Sequence, residues 1–173
     1  MIKMLKKILV VILTLMLVSG LVVAGCSPTP AQSANVGDPA PNFQLQNLDG
    51  EPVALSNLKG KAVLLNFWAT WCPPCRREMP YIQEIYDEWP EEWLVVLAIN
   101  IGESASKVEE FMQRYGLSFP VLLDTKEKVA QGYNIRHIPT TFFIDKDGII
   151  RMKIIGAFPN KAAIEKNLNE ITP

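Results

Sequence analysis

The sequence has few of the residues that build a zinc site. Its 173 residues include three cysteines and a single histidine, His137. A structural zinc ion usually has four protein ligands, commonly from two Cys-x-x-Cys pairs or from one such pair and two histidines. This chain has one pair, Cys72 and Cys75, so a zinc site is disfavoured and we predict no metal.

Concentrated charge is also missing. The formal net charge is −1, and 17 basic residues balance 18 acidic residues without a long block of either sign. Proteins that bind nucleic acids generally carry a basic patch or stripe, so we predict no nucleic-acid partner. The sequence has no repeat at a spacing of about 20 to 50 residues, which excludes a solenoid or propeller built from such units.

Apolar residues are concentrated in the first 25 positions, MIKMLKKILVVILTLMLVSGLVVAG. Three lysines precede an apolar stretch and small residues precede Cys26, which is the pattern of a secretory signal. The ending VAGC at residues 23–26 also resembles the lipobox of bacterial lipoproteins, in which the cysteine is lipidated and the preceding signal is removed. We therefore predict a lipoprotein signal peptide over residues 1–25, with an uncleaved N-terminal membrane anchor as the alternative.

This pattern predicts a domain outside the cytoplasm, anchored to the bacterial membrane through lipid on Cys26. Residues 26–41 are rich in Pro, Ser, Ala and Asn, so we interpret them as a flexible tether that reaches roughly 20 Å as a random coil. The folded domain is predicted over residues 36–173. Assigning Cys26 to lipid leaves Cys72 and Cys75 as one pair.

The following residues alternate between strand and helix patterns. Residues 62–68 and 94–100 are continuous apolar runs of strand length, typical of strands buried on both faces. Between them Met79, Ile82 and Ile85 recur at helical spacing.

A second helix is predicted over residues 106–116. Ser106 and Glu109 have the spacing of a capping box, and Gly116 is a helix-ending residue. Its predicted apolar face includes Val108 and Tyr115.

Two hairpins complete the pattern. Residues 43–55 contain the turn pair Asp49 and Gly50, and residues 140–155 contain the turn pair Asp147 and Gly148. A short strand within residues 119–124 and a last helix near Asn160 are also predicted. Strands and helices in this order indicate an α/β domain with a mixed central sheet flanked by helices.

The two remaining cysteines lie between a predicted strand and a predicted helix. At a helix N-terminus, unpaired amides and the positive end of the helix dipole favour a thiolate at Cys72. A disulfide to Cys75 closes a very short loop and removes little entropy from the unfolded chain, which disfavours a structural role. A Cys-x-x-Cys pair in this position of an exported α/β domain indicates thiol–disulfide exchange.

The segments FWATWCPPC, with Pro80 in the following helix, and IPTTFFID resemble thioredoxin-fold proteins. The leader, the tether and residues 36–80 resemble more narrowly the membrane-tethered TlpA/ResA-like reductases of the AhpC/TSA-Redoxin-like clan. The resemblance covers residues 36–173. It implies a thioredoxin-like fold with an N-terminal β-hairpin extension and a central αβ insertion, and a monomer whose redox group is the Cys72–Cys75 disulfide, without another cofactor.

The resemblance also implies substrates and partners. The protein would reduce protein disulfides outside the cytoplasm, for example the cysteines of apocytochrome c before haem attachment in cytochrome c maturation. A membrane thiol-electron transporter of the CcdA/DsbD type would recharge it. A disulfide oxidase or isomerase on the same scaffold is the nearest alternative, because the fold does not fix the direction of electron flow.

Two further alternatives fit less well. Peroxiredoxins share the opening of this domain, but they have a threonine three positions before the reactive cysteine, where this chain has Ala69. Copper carriers of the Sco type use a Cys-x-x-x-Cys pair and a distant histidine, and His137 is a poor match.

The resemblance assigns roles to residues around the dithiol. Cys72 is the expected nucleophile and Cys75 resolves the mixed disulfide. The Ile138–Pro139 bond is expected to be cis and to face the cysteines, where the backbone of Ile138 binds an extended substrate strand. Trp71 is expected to shield the site and to contact substrate.

Pro73 and Pro74 lie between the cysteines, where the resemblance implies that they contact substrate. Neither has a backbone N–H, so two donors to a Cys72 thiolate are missing. A less stabilised thiolate favours the disulfide form and makes the reduced protein a better electron donor.

Glu78 is predicted to accept the proton of Cys75. It follows Cys75 by three residues and shares its side of the helix, and related reductases carry a glutamate here. Thioredoxin instead has a buried aspartate at the place of Asn66. The alternative for Glu78 is a solvated carboxylate on the helix surface.

Overall fold

The structure is a computed structural model that describes residues 34–172. The predicted signal peptide, Cys26 and the first half of the predicted tether, residues 26–33, lie outside the described residues. Across residues 34–172 we find no helix with the length and apolar character needed to cross a membrane.

Seven strands and four helices follow one another in the described part. The strands are β1 (Gln44–Asn47), β2 (Pro52–Ala54), β3 (Ala62–Trp68), β4 (Leu94–Ile101), β5 (Val121–Asp124), β6 (Thr140–Ile144) and β7 (Ile150–Ile155). The helices are α1 (Pro73–Glu88), α2 (Ala105–Tyr115), α3 (Lys128–Gly132) and α4 (Lys161–Leu168), with a short 3-10 helix over Leu55–Leu58.

The strands form one mixed sheet in the order β2-β1-β5-β4-β3-β6-β7. Strands β3, β4 and β5 run parallel, and the other neighbouring pairs are antiparallel. The predicted fold class is therefore confirmed. The unit of α2 and β5 is inserted between the central strands and the N-terminal hairpin, because β5 pairs with β4 on one side and β1 on the other.

The core lies on both faces of the sheet, and β3 is buried along its whole length. Helices α1, α2 and α4 cover one face, where Ile82, Val108 and Ile164 are fully buried. The opposite face is covered by α3, the 3-10 helix and the first described residues. A central strand covered on both sides explains the unbroken apolar run that predicted it.

The predicted start of α2 is wrong. The N-cap residue is Ser104, and its hydroxyl makes no capping hydrogen bond. Ser106 therefore lies inside the first turn, where it cannot form the predicted capping box with Glu109. The predicted end is confirmed, because Gly116 adopts a left-handed conformation with φ of 63°. Tyr115 is 47% exposed, but its ring centroid lies 4.5 Å from that of the buried Phe111, so it lies at the edge of the apolar face.

The chain enters the domain at one end of the central strands. The Gly37 N–H donates to the Ile150 carbonyl at 2.8 Å, and the Ala40 N–H donates to the Gly148 carbonyl at 2.9 Å. Residue Ile150 pairs with Ile144, which lies in register with Val63 near the start of β3. The first described residues therefore lie at the end of β3 opposite to Trp68.

Candidate redox site

The two cysteines lie where β3 passes into α1. Cys72 is the N-cap residue of α1 and Cys75 lies one turn inside it. They form a disulfide with a Cα–Cα distance of 5.3 Å, and the Cys75 N–H donates to Cys72 Sγ at 3.2 Å. Both residues are buried, at 3% and 0% exposure. Their position at a helix N-terminus is as predicted.

Prolines occupy the first two positions of α1. Pro73 and Pro74 have no N–H to offer the Cys72 sulfur, and the Arg76 N–H donates to the Cys72 carbonyl instead. Within residues 34–172, the Cys75 N–H is the one backbone donor that reaches Cys72 Sγ. The sulfur thus has one of the two N-cap hydrogen bonds that an α-helix can supply from its second and third residues.

A loop that ends at β6 faces Cys72. The Ile138–Pro139 bond is cis, and the Ile138 carbonyl oxygen lies 3.7 Å from Cys72 Sγ. The Thr140 hydroxyl donates to the His137 carbonyl at 2.7 Å and holds the loop against the start of β6. This places the backbone of Ile138 beside the sulfur, as the resemblance implies.

Trp71 is exposed beside the disulfide. Its side chain is 63% exposed, so it is not a core aromatic residue. It lines an open groove of about 300 Å³ together with Gly102, Glu127, His137 and Ile138. The groove adjoins the site on the side of the cis-proline loop, and His137 is exposed at its wall.

Glu78 is buried beneath the site. Its Oε1 accepts a hydrogen bond from Asn66 Nδ2, and its Oε2 accepts the Phe158 N–H, both at 2.9 Å. Burial raises the pKa of Glu78 to about 7, against the opposing effect of these two hydrogen bonds. A solvated carboxylate is therefore excluded. A group with this pKa can take up or release a proton near neutral pH.

Asn66 connects Glu78 to the sheet. Its Nδ2 also donates to Thr141 Oγ1 at 2.8 Å, while its Oδ1 has no hydrogen-bond partner among the described residues. Asn66 stands where the resemblance gives thioredoxin an aspartate. Here the carboxylate comes from α1 and reaches the same residue, which is consistent with the predicted role of Glu78.

Sequence reasoning missed Glu103, a second buried carboxylate at this end of the sheet. Its Oε2 accepts the Thr70 N–H at 2.7 Å, and its Oε1 accepts the Thr70 hydroxyl at 2.6 Å. Asn100 donates to Oε2 at 2.9 Å, and the Lys107 ammonium lies 2.7 Å from Oε1. Burial acts to raise the pKa of Glu103, but these partners outweigh it and hold that pKa below its ordinary value.

The structure brings most of the predicted site residues together at the end of β3. These are Trp71, Cys72, Pro73, Pro74, Cys75, Glu78, Ile138 and Pro139. Their individual roles stay predictions, and Cys26 lies outside the described residues. No group of three or more His, Cys, Asp or Glu side chains within residues 34–172 is arranged to hold a metal ion.

A Cys-x-x-Cys disulfide at a strand-to-helix junction, facing a cis-proline loop on a mixed sheet, defines a thiol–disulfide oxidoreductase of the thioredoxin superfamily. Comparison with known proteins agrees, since residues 36–153 match the AhpC/TSA family. The chain belongs to this family and, within it, to the ResA-like thiol–disulfide oxidoreductases.

Individual relatives support the assignment. The thiol-disulfide oxidoreductase ResA of Geobacillus kaustophilus is 43% identical over 84% of this chain and 83% of its own length. A thiol:disulfide interchange protein from Chlorobium tepidum is 34% identical, with a TM-score of 0.69 over 77% of this chain and 94% of its own. StoA from Bacillus subtilis is 30% identical, with a TM-score of 0.65 over 74% and 96%.

Proposed function

We propose that this protein works as a reductant of protein disulfides outside the cytoplasm. The direction of electron flow is inferred from one observation, the single backbone amide that reaches Cys72 Sγ. A thiolate at this position receives less stabilisation than one with several donors, so the disulfide form is favoured. The dithiol form then gives up its electrons readily.

The site residues account for each step of the exchange. The Cys72 thiolate attacks one sulfur of a substrate disulfide, which breaks that bond, forms a mixed disulfide and releases the other substrate sulfur as a thiolate. The Cys75 thiol then loses its proton to Glu78 and attacks Cys72 Sγ. The mixed disulfide breaks, the substrate leaves as a dithiol after taking up protons, and the Cys72–Cys75 disulfide carries away the oxidising equivalents.

A second dithiol must return two electrons before the next cycle. The lipobox-like residues 23–26 support a lipid anchor at Cys26, which would hold the domain beside a membrane transporter of the CcdA/DsbD type. Incorporation of labelled fatty acid into wild-type protein but not into Cys26→Ser tests the anchor. Labelling that survives this substitution would contradict it, and a full-length mature chain would favour the uncleaved anchor.

We propose the disulfide of apocytochrome c as the substrate. Support comes from the resemblance to TlpA/ResA-like reductases and from the groove beside Trp71, which leaves room for an extended chain next to Ile138. An oxidised peptide with a Cys-x-x-Cys-His sequence should be reduced faster than a scrambled peptide of equal composition. Equal rates would argue against selection of this substrate.

The reduction potential of the Cys72–Cys75 pair is the decisive measurement. Equilibration of the soluble domain with glutathione buffers should give a value below roughly −230 mV, near that of thioredoxin. A value near −120 mV, typical of strong oxidants, would make the protein a disulfide-forming enzyme instead.

The variant Pro74→Ala tests whether the missing backbone donor to Cys72 Sγ lowers the reduction potential. It adds an N–H at the second position of α1, from which an N-cap side chain commonly accepts a hydrogen bond. One additional hydrogen bond to a charged group contributes about 1.5 kcal/mol or more, so the potential should rise by about 30 mV. Pro90→Ala, beyond the far end of α1, is the matched control, and equal potentials for the two variants would reject this explanation.

A further inference from the structure

Glu103 joins the loop before Cys72 to the carboxyl end of β4. The carboxylate is almost fully buried, and two of its four partners are groups of one residue, the backbone N–H and the hydroxyl of Thr70. Charge-assisted hydrogen bonds of this length are among the strong ones in proteins. Thr70 is itself buried, and it lies two residues before Cys72.

Thr70 belongs to a tight turn that leads into α1. The Cys72 N–H donates to the Ala69 carbonyl at 3.2 Å, so Thr70 and Trp71 are the two central residues of this turn. Trp71 is exposed and has no hydrogen bond to hold it among the described residues, whereas Thr70 is held at two points. Glu103 therefore anchors the turn at Thr70.

We propose that Glu103 is a positioning residue for thiol–disulfide exchange, and that it acts through Thr70 to fix Trp71 and Cys72 against the Ile138 loop. On the opposite side, Cys72 Sγ lies 3.7 Å from the Ile138 carbonyl oxygen. A small displacement of the turn would change this contact and the N-cap hydrogen bond from Cys75. The inference concerns the exchange reaction of the family and is independent of the substrate and of the direction of electron flow.

A role in stability alone would explain the contacts less completely. A buried carboxylate is costly unless it is fully paired, and an apolar residue after β4 would pack without that cost. Glu103 makes two hydrogen bonds to the redox loop, at 2.6 and 2.7 Å, and an equally short contact of 2.7 Å to Lys107 in the first turn of α2. The geometry therefore matches a device that holds this loop.

The test compares two substitutions at Thr70. Thr70→Val keeps the shape and the backbone N–H but removes the hydroxyl, whereas Thr70→Ser keeps the hydroxyl. The rate constant for exchange with insulin disulfides should fall about tenfold in Thr70→Val, because small misplacements of reacting groups have effects of this size or larger. Thr70→Ser should stay within about twofold of wild type.

A second readout separates positioning from stability. The rate of Cys72 alkylation by iodoacetamide is measured against pH in the reduced protein. A displaced turn weakens the hydrogen bond from the Cys75 N–H, so the midpoint of the Thr70→Val profile should rise by about half a pH unit. Alkylation at neutral pH should then slow about threefold, and thermal unfolding of each variant is recorded alongside.

Substitutions of the carboxylate and its neighbours complete the test. Glu103→Gln leaves one acceptor for several donors and should slow exchange as Thr70→Val does. Lys107→Met removes the ion pair but keeps both bonds to Thr70, so it should slow exchange less than Glu103→Gln does. Glu110→Gln changes an exposed carboxylate on the same helix and should exchange within about twofold of wild type.

Three outcomes would overturn the proposal. Thr70→Val and Glu103→Gln could lower the unfolding temperature while the exchange rate and alkylation profile stay unchanged. Thr70→Ser could be as slow as Thr70→Val. Lys107→Met could be as slow as Glu103→Gln, which would indicate an effect of charge. A wild-type potential in the oxidant range would reject the proposed reductase direction without changing these ratios between variants.

Discussion

Two buried carboxylates at the redox end of the sheet have pKa values that move in opposite directions. Burial raises the pKa of Glu78 to about 7, because its two hydrogen bonds do not compensate for lost hydration. At Glu103 burial acts in the same direction, but an ammonium group and three hydrogen bonds outweigh it. Environments that separate two pKa values in this way usually separate two roles. The environment of Glu78 suits a group that transfers a proton, and the environment of Glu103 suits a carboxylate that stays ionised.

The raised pKa of Glu78 predicts a specific dependence of stability on pH. Its ordinary value is 4.5 and its value in the folded protein is about 7. The folded state therefore holds this proton more tightly than the unfolded state, and the associated stability is lost as the pH rises from about 4.5 to 7. The shift corresponds to about 3 kcal/mol. Glu78→Gln should lack this loss.

Urea unfolding of the oxidised protein at pH 4 and pH 8 measures the effect. The free energy of unfolding should fall by about 3 kcal/mol more in wild type than in Glu78→Gln. Glu84→Gln, on the exposed side of α1, should behave as wild type. The same Glu78→Gln variant should exchange disulfides more slowly, and an unchanged rate with unchanged thiol titration would contradict the proton-acceptor role.

The sequence identified Cys72, Cys75 and Glu78 but not the partners that give them their properties. Spacing along α1 places Glu78 on the side of Cys75, which a helix makes predictable. Its burial depends on Asn66 and on the Phe158 N–H, which is 80 residues away. Glu103 follows a strand within the unremarkable sequence NIGES, so no motif marks it. Long-range contacts of this kind are not encoded in local spacing.

At the scale of elements, the N-termini of α2 and α4 show how well a capping pattern in the sequence predicts where a helix begins. The sequence predicts that the last helix starts near Asn160, and the Asn160 Oδ1 accepts the Ala163 N–H at 3.0 Å. Ser106 and Glu109 match a capping pattern equally well, yet the N-cap residue of α2 is Ser104. The apolar face of α2 has the same phase for either start, so hydrophobic spacing could not separate the two serines.

This difference predicts unequal effects of two substitutions. Asn160→Ala removes a formed cap and should lower the free energy of unfolding by about 1 kcal/mol. Ser106→Ala removes no capping bond and places a better helix former in the first turn, so it should change stability by less than about 0.5 kcal/mol. Denaturant titration of both variants measures this, and an equal loss in both would mean that Ser106 does cap α2.

At the scale of the whole molecule, β5 joins the N-terminal hairpin to the central strands. The sequence predicted this strand and the hairpin but not their pairing, because the strand order depends on contacts such as Gln46 with Leu123. Leu122 is fully buried and lies in register with Ile99 on one side and Asn47 on the other. The hairpin therefore reaches the rest of the sheet through β5.

Leu122→Ala should therefore destabilise the domain as one unit. Truncation of a fully buried leucine typically costs about 2 to 5 kcal/mol. Far-UV circular dichroism and tryptophan fluorescence should report one coincident transition, shifted to lower denaturant concentration. Val95→Ala, at a half-buried position of β4, should give a smaller shift. Separate transitions for the two probes would show that the hairpin unfolds independently.

The first described residues lie at the end of β3 opposite to Trp68, and this placement has a mechanical consequence. β3 spans roughly 20 Å at about 3.3 Å per residue. About the length of one strand therefore separates the place where the chain enters the sheet from the Cys72–Cys75 disulfide. A fusion partner or surface coupling attached before residue 34 should for this reason leave the approach to Cys72 open.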